Sequence, residues 1–148
     1  MRMAACAALG ALAMAGACAE PQEAELTSVQ LVERGDYLVN GVVLCGDCHT
    51  PRLENMALDE ARELHGAEIA ESGPPGVFAS FAPPLAGLPT GYSQAQFISF
   101  MQTGVRPDGS HPRPPMPPYR LNAADARAVA AYIAALPPSG EEHSHEDH

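Results

Sequence analysis

Two thiols and an imidazole stand together in Cys45-Gly46-Asp47-Cys48-His49. At the end of a helix, cysteines three residues apart face one side, and each can form a thioether with a haem vinyl group. The adjacent His49 then falls beneath the iron and offers a ring nitrogen as the proximal ligand. Three other chemistries use the same residue types. A dithiol redox pair of the thioredoxin kind requires a βαβ setting, which the sequence does not display. A zinc site requires further ligands, such as His65 or His111, at unrelated spacing. A buried pair of structural thiols conflicts with an oxidising compartment. The histidine directly after the second cysteine favours covalent haem, and so does the export pattern at the N-terminus.

An iron held by His49 needs a sixth ligand or an open site. Met56 follows His49 by seven residues, too few to reach comfortably round a haem. Met101 falls among Phe97, Ile98 and Phe100 and reads as core packing. Met116 stands in His111-Pro112-Arg113-Pro114-Pro115-Met116-Pro117-Pro118-Tyr119, where five prolines in seven positions stiffen the chain and remove backbone donors. A rigid loop presenting a soft thioether suits a distal iron ligand, so Met116 is the expected partner of His49. Its bland alternative is a surface methionine in a proline-rich linker. His111 is the second candidate, and His65 in its charged stretch reads as solvent-facing.

Those residues need elements to hold them. A first helix is expected from about Ser28 to Leu44, capped by Thr27 or Ser28, with Leu31, Val32, Leu38, Val39 and Val42 at helical spacings. Gly35 and Gly41 weaken it intrinsically, a cost accepted where two backbones approach closely. A second helix is expected over 57–71, with Asp59, Glu60, Arg62 and Glu63 solvated. Gly73-Pro74-Pro75-Gly76 breaks the chain. After the apolar loop 77–88, Ser93 and Gln96 form a capping-box pair that opens a third helix, closed by Gly104. Asn122 caps the last helix, Asp125 meets its dipole, and Val129, Ile133 and Leu136 line one stripe. The sequence shows no repeats and no convincing strands.

Composition agrees with a bound apolar cofactor. Of the 148 residues 46% are hydrophobic, but only 5% are aromatic and none is Trp, so side chains alone fill a core poorly. All eight cations are Arg, and the formal charge of −10 repels phosphate backbones, which argues against nucleic acid. Arg2 and the apolar run Met3–Ala17 read as an export signal over 1–17, too short to span a membrane. Ala15-Gly16-Ala17-Cys18 is similar to a bacterial lipoprotein box, with Ala15 where Leu is usual. Cys18 is therefore a candidate lipidation site and new N-terminus; ordinary cleavage after Ala17 or Ala19 stays open. Residues 18–27 read as a tether, 28–138 as the folded domain, and 139–148 as an acidic tail carrying His143, His145 and His148. The tail could hold a metal loosely, though an unstructured polar terminus is the plainer expectation. With Cys6 in the export segment, only Cys45 and Cys48 belong to the mature fold.

From Gly35 to Pro138 the chain resembles class I c-type cytochromes, of the bacterial kind that serve periplasmic dehydrogenases. The resemblance is carried by G-D-Y-L-V-N (35–40), C-G-D-C-H-T-P-R (45–52), F-x-x-F-A-P (78–83), T-G-V-R-P-D-G (103–109), P-P-M-P-P-Y (114–119) and A-A-Y-I-A-A-L-P-P (130–138). It implies an all-α cytochrome c fold, about four helices round one covalent haem c. First and last helices would cross closely, giving Gly35, Tyr37 and Tyr132 packing roles. Pro84 departs from the pattern, since relatives often have Asn there near the haem edge; Arg52, Tyr92 and Arg106 are candidates to compensate.

The expected function is an exported monohaem carrier of single electrons. Its donor would be a periplasmic dehydrogenase and its acceptor a downstream cytochrome or terminal oxidase. Contact is expected at an apolar, proline-rich rim made by 77–88 and 112–119, with an acidic surround that favours basic partners at low salt. Two alternatives stand beside it. One is a haem enzyme or sensor with an open distal site, peroxidase-like or gas-binding. The other is a metal-handling protein built on the His tail and the thiols.

Overall fold

The computed structural model describes residues 26–70, 73 and 76–139. The expected export segment, Cys6, Cys18, most of the tether and the three histidines of the tail lie outside the described residues. Helix α1, Ser28–Tyr37, starts where Thr27 and Gln30 close a full capping box. It then widens into a π-helical turn, Leu38–Val42, rather than running straight to Leu44. Leu44 adopts a left-handed backbone with φ 57° and turns the chain into the single-turn helix α2, Gly46–His49. Helix α3, Gln94–Thr103, opens on the expected Ser93/Gln96 capping box and stops at Gly104, whose φ of 67° suits glycine. Helix α4, Ala123–Ala135, starts where the Asn122 side chain accepts from Asp125 N at 2.8 Å.

The expected helix over 57–71 does not form. Its place is taken by a single 3-10 turn, Glu60–Arg62, followed by left-handed Leu64 and Gly66. Leu64 is the physical reason, because it points inward and is fully buried. Its backbone N–H donates to Thr50 Oγ1, and its carbonyl accepts from Leu85 and Ala86. A helix would have consumed those groups internally. The chain then forms strand β1, Ala67–Glu68, which pairs antiparallel with β2, Phe81–Ala82. This two-residue ladder is an addition to the expected all-helical architecture, too short to show alternation in sequence.

Helices α1 and α4 cross at Gly35. A Cβ at that position would overlap the Ala128 carbonyl oxygen and stand 2.6 Å from Tyr132 Cβ. Arg34 fastens the crossing to Asp125 with an ion pair at 3.0 Å. Tyr132 shares the packing implied for it, but Tyr37 does not: it is 59% exposed and lies 5.5 Å beneath the Arg34 guanidinium. Helix α3 packs against α4 from the other side. The core between them joins Leu38, Val39, Phe97, Phe100, Met101, Val129 and Ile133, with Leu64 and Leu85 brought in from the loops. Hydrogen bonds from the Tyr132 hydroxyl to Glu63 (2.7 Å) and from Asn40 to Tyr132, Glu63 and Asp36 tie α1, α4 and the 60–66 segment together.

Candidate haem-binding site

Cys45, Cys48, His49 and Met116 line one cavity of about 400 Å³. The π-helical turn and Leu44 deliver the two cysteines to its wall. Apolar side chains make up most of the rest, among them Phe81, Pro83, Leu85, Phe97, Pro115 and Tyr119. Arg106 and Arg113 also line it, and among the described residues no acidic side chain does. A second cavity adjoins it and shares His49, Arg106 and Met116.

His49 is buried, and its Nδ1 lies 2.7 Å from the Pro83 carbonyl. A carbonyl can only accept, so Nδ1 carries the hydrogen and Nε2 keeps its lone pair. Burial holds the imidazole below its ordinary pKa, against the opposing pull of the Pro83 bond, so the ring is neutral and able to ligate. Gly66 N donates to the His49 carbonyl at 2.8 Å and fixes the backbone behind it. Burial pushes the Cys45 thiol up to about 12, with Cys48 adding to the effect. Such a thiol is a poor thiolate, unlike the activated cysteine of a dithiol redox site.

Met116 is half-buried, against the hydrophobic core. Its loop is stapled to the apolar loop 77–88 where Ala79 N donates to the Pro114 carbonyl at 2.7 Å. The Pro114–Pro115 peptide is cis. The other candidates fall elsewhere. His111 Nδ1 is 2.9 Å from the Gly104 carbonyl and does not line the cavity, nor does His65. Met56 is 67% exposed. Met101 is buried in the core as expected, but it also reaches the cavity wall. Among the described residues no three or more His, Cys, Asp or Glu side chains cluster for a metal ion.

The compensating residues proposed for Pro84 divide. Arg106 lines both cavities and donates to the His111 carbonyl at 3.1 Å. Tyr92 lines only the second, while Arg52 turns away to the Met56 and Asp47 carbonyls. The sequence places 112–119 round the haem as a segment, without singling out Arg113 or Tyr119 as lining side chains. The signal was the proline-rich loop itself, which presents whatever side chains it carries in the neighbourhood of Met116.

The lining fits an iron porphyrin. Two thiols, one neutral imidazole and one thioether meet in an apolar chamber, and the two guanidiniums match a group that bears two carboxylates. The cytochrome c family model matches residues 32–137, a span that contains every one of these groups. The chain belongs to the cytochrome c family. As in other cytochromes c, its cofactor is covalent haem and its chemistry is electron transfer. Among curated relatives, the chain is 31% identical over 110 residues to a protein of Cereibacter sphaeroides named diheme cytochrome c-type. That alignment covers 71% of this cytochrome and 35% of the relative. It is 28% identical over 116 residues to the fructose dehydrogenase cytochrome subunit of Gluconobacter japonicus, covering 73% of this chain and 22% of that one. The chain thus spans about a third and about a fifth of the relatives it matches.

Proposed function

We propose that this cytochrome is an exported one-haem carrier, taking electrons from a periplasmic dehydrogenase and passing them to a cytochrome or terminal oxidase. Cys45 and Cys48 hold the haem, and His49 and Met116 are its iron ligands. One haem is assigned because Cys45–His49 is the only stretch in which two cysteines three apart precede a histidine. The dehydrogenase donor is carried over from the name of the Gluconobacter relative. Among the described residues no helix is long and apolar enough to cross a membrane. A lipid on Cys18 would hold the domain at the envelope, and the N-terminal residue of the mature chain distinguishes this from ordinary cleavage.

The observation that carries the reading is the shared lining of His49 and Met116 in one cavity. The haem, when bound, supplies reversible one-electron exchange, which a methionine ligand biases towards the ferrous form. The chain's own residues do the rest. His49 is locked in one tautomer by Pro83, Phe97 and Leu85 exclude water, and Arg106 and Arg113 supply positive charge for the two haem carboxylates. Leu44, Val77 and Phe81 stay about half exposed, at 48%, 49% and 48%, and supply apolar surface for brief partner contact.

Optical spectroscopy tests the ligation. The oxidised protein should show the weak near-infrared sulfur-to-iron band, and the ferrous protein should bind carbon monoxide slowly. Immediate carbon monoxide binding without that band would replace this reading by the open-site enzyme or sensor.

A further inference from the structure

The Met116 loop has few means of being held. From Pro112 to Pro118 five of seven residues lack a backbone N–H, and Met116 uses its own inside the loop, on the Arg113 carbonyl at 3.2 Å. The Arg120 guanidinium also turns back on the loop, donating to the carbonyls of Pro118 and Tyr119. Among the described residues, two hydrogen bonds tie 112–120 to the rest of the molecule. One is Ala79 N to the Pro114 carbonyl, on the N-terminal side of Met116. The other is the Tyr119 hydroxyl donating to the Val43 carbonyl at 3.0 Å, on the C-terminal side. Val43 lies two residues before Cys45, so this second bond joins the loop bearing Met116 to the segment that leads into the thiols. Tyr119 lines the same cavity and packs against the hydrophobic core.

We infer that Tyr119 is a positioning residue, the strap that keeps Met116 on the iron. The inference rests on the Met116 ligation proposed above. Without the hydroxyl the ring still fills its place, but the nearest anchor on the C-terminal side of Met116 is then Leu121, five residues on, whose N–H donates to the Met101 carbonyl at 3.0 Å. The state with Met116 displaced then gains population. Carbon monoxide competes for the position that Met116 occupies, so its binding rate reads that population directly.

The test uses the haem-loaded full chain and stopped-flow mixing of the reduced protein with carbon monoxide. Tyr119→Phe should raise the binding rate about fivefold, equivalent to about 1 kcal/mol for one net hydrogen bond at about 1.4 kcal/mol per tenfold. Its near-infrared band should also fade at lower temperature than that of the unaltered protein. Tyr132→Phe is the control, since it removes a hydroxyl bonded to Glu63 and Asn40 away from the cavity. It should lower the melting temperature and leave the carbon monoxide rate unchanged. Equal rates for Tyr119→Phe and the unaltered protein, with the band present in both, would overturn the strap alone. A comparable rise in Tyr132→Phe would also overturn it, by showing that global stability sets the rate. An unaltered protein that lacks the band and binds at once would overturn the strap together with the ligation.

Discussion

Ferrous Met116→Ala protein should bind carbon monoxide roughly ten to a thousand times faster than the unaltered chain. The range follows from the population of a minor open state, about 0.1–10%, which becomes the only state once the thioether is gone. The same variant should lose the near-infrared band and show a lower reduction potential, because the sulfur that favours ferrous iron is missing. Alanine should be tolerated structurally, since Met116 is only half-buried on a loop stiffened by its prolines. Met101 provides the contrast. It also reaches the cavity, but it sits on α3 in the core, where truncation to alanine costs about 2–5 kcal/mol. Met101→Ala should therefore melt early and keep the band. Loss of the band in Met101→Ala and its survival in Met116→Ala would exchange the two roles.

Gly35→Ala should destabilise the fold by forcing the crossing of α1 and α4 apart. The new methyl group would overlap the Ala128 carbonyl oxygen, a backbone atom that cannot rotate away, and would press on Tyr132 Cβ. Overpacking of this kind costs about 1–3 kcal/mol, and a loss near 2 would lower Tm by roughly 10 °C. Intrinsic helix propensity predicts the opposite sign, because alanine is the better helix former by about 1 kcal/mol. Gly41→Ala separates the two effects. There the nearest atoms are 3.4 and 3.5 Å away, on the Tyr37 ring, so propensity should govern and stability should hold or rise slightly. Thermal unfolding of both variants, with haem attached, decides between them. A stable Gly35→Ala would show that the crossing of α1 and α4 opens easily.

The two glycines illustrate how far the sequence alone could be read. Close packing at Gly35 was expected from a helix that keeps a glycine despite its cost, and the partner was found on α4. The caps of α3 and α4 were legible too, because Ser93, Gln96 and Asn122 satisfy local N–H groups that any helix start exposes. Local chemistry fails where the fold is set by distant groups. The acidic stretch 57–71 has a helical charge pattern, yet Leu64 serves as an anchor for Thr50, Leu85 and Ala86 and prevents a helix there. No nearby residue announces that role.

The site divides in the same way. Cys45, Cys48 and His49 fall within five residues, so a joint chemistry could be proposed from sequence alone, and all three line one cavity. The proline setting singles out Met116 over Met56 and Met101; Met116 and Met101 both line the cavity, and the near-infrared band of the two alanine variants decides between them. Arg113 and Tyr119 belong to the segment 112–119 expected round the haem, but which of its side chains line the cavity depends on how the loop folds over it. The hydroxyl bond from Tyr119 to Val43 spans 76 positions and leaves no local trace.

One haem should be bound covalently through Cys45 and Cys48. Protein exported from a host competent in cytochrome maturation should gain the mass of a single haem by intact mass spectrometry. Its pyridine haemochrome should report one haem of the c type per chain, and acid-acetone should extract none of it. Extractable haem, or a mass matching the bare polypeptide, would contradict the account.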